Sequence, residues 1–135
     1  MTVVFLVAAI IFGILILILV SRLGRRFVQP LNRRYFEARW DELLGRVKTP
    51  EGMILAVIDA DKLLDEALKK RGYKGKTMGE RLVAAQRALS NNDGVWYAHK
   101  LRNRLVHEPN VRLRRSEAKN ALAGIKQGLQ DLGAL

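Results

Sequence analysis

Apolar residues run without interruption at the start of this chain and recur at helical spacing through the rest of it. Between Met1 and Ser21 there is no charged side chain, and the run TVVFLVAAIIFGILILILV is apolar throughout. As a helix, roughly 20 such residues reach about 30 Å, the thickness of a bilayer's hydrocarbon layer. The pattern predicts a transmembrane helix. A cleavable signal peptide is the rival reading, but no Lys or Arg precedes the run, no small-x-small site follows it, and the run is too long.

Beyond Pro30, a point of hinge or restart, the apolar positions change to steps of three and four. Phe36, Trp40, Leu43 and Val47 line one face of a first helix in LNRRYFEARWDELLGRV. Thr49, Pro50 and Glu51 then read as an N-cap, a proline at the first helical position and an acidic first turn. The helix they open carries Met53, Val57, Ala60, Leu64 and Leu68 on one face, widened by Ile54 and Ile58, and Gly72 stops it. Thr77 caps a third helix in TMGERLVAAQRAL, with Glu80 at the capping-box position, and SNNDG ends it as a turn. A fourth, VWYAHKLRNRLVH, places Tyr97, Leu101 and Leu105 at steps of four, and Pro109 puts His107 in its last turn. Ala118, Leu122, Ile125, Leu129 and Leu132 mark a final helix, in which Gly124 and Gly128 either weaken the helix or permit close packing.

No stretch alternates as a strand does, and no repeat appears. The expected fold class is all-α: a single N-terminal transmembrane helix followed by a small up-down bundle of four to five helices. Residues 1–26 form the span and its basic flank, 27–34 a juxtamembrane linker, and 35–135 the bundle. Roughly a hundred residues bury an adequate core only narrowly, so self-association, a homodimer above all, is expected.

Charge adds an orientation. Arg22, Arg25 and Arg26 follow the span directly and nothing basic except the amino terminus precedes it, which predicts an N-terminus outside and a C-terminal domain in the cytoplasm. The same arginines suit anionic lipid headgroups. Of the net charge of +11, an excess of five falls in 22–48, three in 49–108 and three in 109–135. The bundle itself is thus only mildly basic, and the isoelectric point alone does not argue for nucleic acid. Without cysteine there are no disulfides or thiolate metal sites.

Candidate chemistry narrows to one segment. GYKGKT, Gly72 to Thr77, ends like a phosphate-binding P-loop, but Lys70 stands where that loop needs its first glycine and a helix rather than a strand precedes it. His99 and His107 are eight apart with no carboxylate at matching spacing, so no metal or cofactor is expected. His99 itself reads as an ordinary surface or packing residue. Trp40, Trp96 and Tyr97 read as core or interface anchors. There remains LRNRLVH, Leu101 to His107. Asn103 and His107, four apart, share a helical face, whereas Arg102 and His107 stand about 140° apart. They meet at one point only if the helix ends at His107, if the long arginine wraps round, or if a two-fold partner supplies a second set. An arginine offers forked donors to phosphate and a histidine exchanges protons near neutral pH.

Arg102, Asn103 and His107 resemble the signature of HEPN (higher eukaryotes and prokaryotes nucleotide-binding) domains: an arginine and a histidine separated by four to six residues, often with a polar residue after the arginine. The resemblance covers about Leu31 to Leu135 and implies a helical bundle carrying the motif on a later helix. In active members it implies metal-independent cleavage of RNA by a dimer. His107 would then take the 2′-hydroxyl proton, Arg102 stabilise the phosphorane and Asn103 position the phosphate. Arg104 and the VRLRR run, with Arg112, Arg114 and Arg115, would supply weaker RNA contacts. One departure stands out, because toxin-type members often continue as histidine, any residue, tyrosine, and the third position here is Pro109. Other relatives are non-catalytic binding modules. The segment is therefore either an RNA-cleaving or RNA-binding site, of a defence or stress system, or a structural network of an interaction module that engages an unidentified protein.

Overall fold

The computed structural model describes residues 1–25 and 30–135; the side chains of residues 23–25 lie outside that description. Of the expected membrane flank, Arg25 by its side chain and Arg26 altogether thus fall outside it, and Arg22 is exposed. Among the described residues there are six helices and no strand: α1 (Thr2–Arg25), α2 (Arg33–Arg46), α3 (Pro50–Lys70), α4 (Met78–Ala85), α5 (Asn92–His107) and α6 (Arg115–Asp131).

α1 is long and apolar enough over Thr2–Arg22 to cross a membrane, and none of that stretch is buried against the rest of the protein. The other five helices form an all-helical bundle in which α3 packs against α2, α4, α5 and α6, while α5 and α6 pack closely on each other. The reason α3 is the hub lies in its sequence. Its buried residues include Met53, Ala56, Val57, Ala60, Leu63, Leu64, Ala67 and Leu68, a stripe wider than the predicted face because the small alanines admit neighbours on both flanks. Thr49 Oγ1 accepts from the Gly52 amide at 3.0 Å, as the cap pattern predicts. At the other end Gly72, at φ 85°, lets the Gly72 and Tyr73 amides turn back onto the carbonyls of Lys69 and Leu68. The same closure ends α6, where Gly133 at φ 76° returns the Ala134 amide to Leu129 and tucks Ala134 fully into the core.

Phe36, Trp40 and Leu43 carry α2 onto the core, and two polar ties fix its position against α3. Arg46 Nη1 donates to Asp59 at 2.8 Å and the Tyr35 hydroxyl to Glu66 at 3.0 Å. Gly124 has the close-packing role. A β-carbon built there would stand 2.4 Å from the Gly94 carbonyl oxygen, so α5 and α6 approach at a distance only glycine permits.

Four local expectations are corrected. α4 ends at Ala85 rather than Leu89, because Asn92 Nδ2 donates to the carbonyls of Gln86 and Leu89 and pulls the chain into a turn. Within SNNDG the helix α5 already begins, with Asn91 Oδ1 accepting from the Gly94 amide at 2.9 Å. The Glu80 carboxylate reaches the Lys76 amide at 2.5 Å instead of the Thr77 amide, so Thr77 caps without a reciprocal partner. Tyr97 is 40% exposed, and α5 faces the core with Val95, Ala98 and Leu101.

Candidate functional site

α3, α4 and α5 enclose an open cleft of about 370 Å³ whose lining includes Arg102 and Asn103. At its floor is Asp61, a carboxylate only 3% exposed in the middle of the apolar face of α3. A buried carboxylate is tolerated only when charged or hydrogen-bonding partners replace water. Here two come from α5. His99 Nδ1 lies 3.1 Å and 3.2 Å from the two Asp61 oxygens, and Arg102 Nε stands 3.5 Å from Oδ2 as an ion pair.

Helical spacing explains the convergence. His99, Arg102 and Asn103, at i, i+3 and i+4, lie on one side of α5. Arg102 Nη1 donates to Asn103 Oδ1 at 2.9 Å, and Asn103 Nδ2 reaches toward His99 Nε2 at 3.5 Å. An ionised carboxylate only accepts, so the Asp61 contact requires a hydrogen on Nδ1; in the neutral ring that tautomer leaves Nε2 as an acceptor. Trp96 packs edge-on against the His99 ring with centroids 6.0 Å apart and limits its rotation.

One wall of the cleft is a second ion pair. Arg81, with a side chain 8% exposed, holds Asp65 through Nε at 2.7 Å and Nη2 at 2.9 Å, and its Nη1 donates to the Gly75 carbonyl at 2.6 Å. Burial pushes the Asp65 carboxyl up, but Arg81 and Lys69 together outweigh it and hold the group below its ordinary value. All three outer nitrogens of Arg81 are thus engaged, and its role is to brace α4 against α3. Lys62 and Lys76 stand exposed at the rim.

His107 lies elsewhere. It is the last residue of α5, is exposed, and its side chain has no hydrogen bond or ion pair among the described residues. The structure therefore brings Arg102 and Asn103 to one cleft and leaves His107 outside its lining. The four weaker candidates are also outside. Arg104 pairs with Glu117 at 3.2 Å and Arg114 with the same carboxylate at 3.4 Å, joining α5 to the start of α6. Arg112 is exposed, and Arg115 borders an apolar groove with Leu44, Val47 and Met53.

Asp61, His99, Lys62, Lys76 and Arg81 were not among the predicted site residues. A signal existed for two of them. Asp61 continues the 57–64–68 stripe at steps of four and three, where a charge in a core register demands a partner. His99 precedes Arg102 by one helical turn. A larger groove of about 630 Å³ runs along α5 and α6 past Ser90, Tyr97, Asn120 and Gln127, but no charged side chain lines it. The α3–α4–α5 cleft is therefore the candidate site. Among the described residues no three His, Asp or Glu side chains are grouped as metal ligands. Comparisons with protein-family models, with curated proteins and with solved structures give no match.

Proposed function

We propose that the chain is a membrane-anchored, HEPN-like helical bundle whose α5 segment engages the sugar-phosphate backbone of RNA and cleaves it without a metal ion. The observation that carries this reading is the cleft itself: Arg102 and Asn103, adjacent in the motif, face one open space that also collects His99 and the rim lysines. Of Arg102's three nitrogens, Nη1 serves Asn103, while Nε stands 3.5 Å from Asp61 Oδ2, an ion-pair distance at which it makes no hydrogen bond. Nη2 is a donor available for a phosphate oxygen, and the Asn103 amide is a second. α1 supplies the anchor, and the arginines after it argue for a cytoplasmic bundle, the compartment that holds RNA. His107 is exposed at the end of α5, and in this reading a homodimer is the arrangement that would bring it to a partner's site.

A second reading draws on the same network. Asp61, His99, Arg102 and Asn103 contact one another across α3 and α5, as residues that lock two helices together do, and an interaction module tethered to the bilayer would use them in that way. Full-length protein in nanodiscs, incubated with single-stranded RNA in the presence of a chelator, separates the two. Cleavage by the parent that falls about 10²–10³-fold in Arg102→Ala, the usual loss on removing a transition-state donor, supports the first. Intact RNA beside a lowered melting temperature in Arg102→Ala supports the second.

A further inference from the structure

We propose that His99, not His107, is the proton-accepting residue of the cleft, and that Asp61 is the positioning residue that sets it. The inference rests on the RNA-cleaving reading above and changes which histidine serves it. Three observations carry it. The Asp61 carboxylate, 3% exposed, faces His99 Nδ1 through both oxygens, which fixes the ring's orientation and directs Nε2 away from α3. His99 lines the same cleft as Arg102 and Asn103, whereas His107 does not. Among the described residues Nε2 meets only the Asn103 amide, at 3.5 Å, a long contact that an incoming hydroxyl readily displaces. A base oriented by a buried carboxylate, beside a guanidinium with a free nitrogen, has the parts that a transesterification needs.

The step balances with the groups present. The ribose 2′-oxygen attacks the adjacent phosphorus while its proton passes to His99 Nε2. Arg102 Nη2 and Asn103 Nδ2 hold the phosphate oxygens as charge builds on them. The bond from phosphorus to the 5′-oxygen breaks, and that oxygen takes up a proton from solvent or from the imidazolium. The products are a 2′,3′-cyclic phosphate and a 5′-hydroxyl. No oxidant or co-reactant enters.

Two measurements test this in the full-length chain in nanodiscs, with a labelled single-stranded RNA. His99→Gln retains a donor toward Asp61 but cannot accept the proton, so it should stay folded and cut 10²–10⁴-fold more slowly, the range for a lost general base. His107→Gln should cut within about threefold of the parent. Added imidazole should restore His99→Ala, a response that a structural histidine does not give. Because the chain has only two histidines, their ring resonances also report on the unaltered protein. A 2′-deoxy oligonucleotide of the same sequence should move the His99 signals and leave those of His107 in place. If His99→Gln cuts like the parent, or the His107 signals alone respond, the assignment is overturned while the RNA reading stands. If the parent neither binds nor cuts RNA, both fall together.

Discussion

Glu117 shows how a single carboxylate can organise a junction. It accepts from the Arg114 amide at 3.0 Å, pairs with the Arg114 side chain and receives Arg104 from α5. The amide contact first, then the two guanidiniums, hold its carboxyl down at about 2 against an ordinary 4.5. A group whose folded pKa is lowered contributes stability above its unfolded pKa, and that contribution disappears as pH falls through the folded one. Glu117→Gln should therefore melt below the parent at pH 6, and the gap should close between about pH 4.5 and pH 2; a gap unchanged down to pH 2 would show that the junction is held by something else. Arg81 makes the complementary case in a drier setting. Its removal leaves the partly buried Asp65 without its fork, so Arg81→Ala should lose roughly 3 kcal/mol in a denaturant titration, near the low end of the range for buried pairs because Asp65 keeps some exposure and Lys69 still reaches it at 2.8 Å.

At the scale of elements, glycine position decides sign. In α6 a side chain at Gly124 meets the backbone of Gly94, which cannot move aside, so Gly124→Ala should destabilise by about 1–3 kcal/mol despite its better helix propensity. Gly45, near the end of α2, has nothing within 4 Å of an added β-carbon. Gly45→Ala should instead raise stability by up to about 1 kcal/mol, and thermal melts of the two variants should move in opposite directions. Such differences also mark what could be read from the chain before its structure. Caps and stops at Thr49, Gly72 and Thr77, and the stripe of α6, depend on neighbours in sequence and were legible. Tyr97 was misplaced because a step-of-four pattern cannot say which of two adjacent faces meets α6. The pairing of Asp61 with His99 spans 38 positions, and only the packing of α3 on α5 creates it. His107, legible as a motif residue, is set by the end of α5 and not by the cleft.

For the whole molecule, the proposed anchor makes a plain prediction. A reporter active only in the cytoplasm, fused after Leu135, should be active, and one active only outside should be silent; the reverse would remove the bundle from its proposed substrate. Salt dependence offers a second check on the intact chain. The cleft is lined by the cations Lys62, Lys76, Arg81 and Arg102 and by the carboxylates Asp61 and Asp65, a surplus of two positive charges. For a single strand held through about two phosphates, the logarithm of the association constant should fall against the logarithm of salt with a slope near −1.4. A slope several times steeper would mean that the wider basic surface, not the cleft, does the holding. The buried Asp61 then acquires a consequence of its own. On the proposed reading, Asp61, an ion-pair distance of 3.5 Å from Arg102, would compete with an anion arriving from above and would help the product to leave. If RNA is the ligand, such a cleft would sample many strands in passing and would store none.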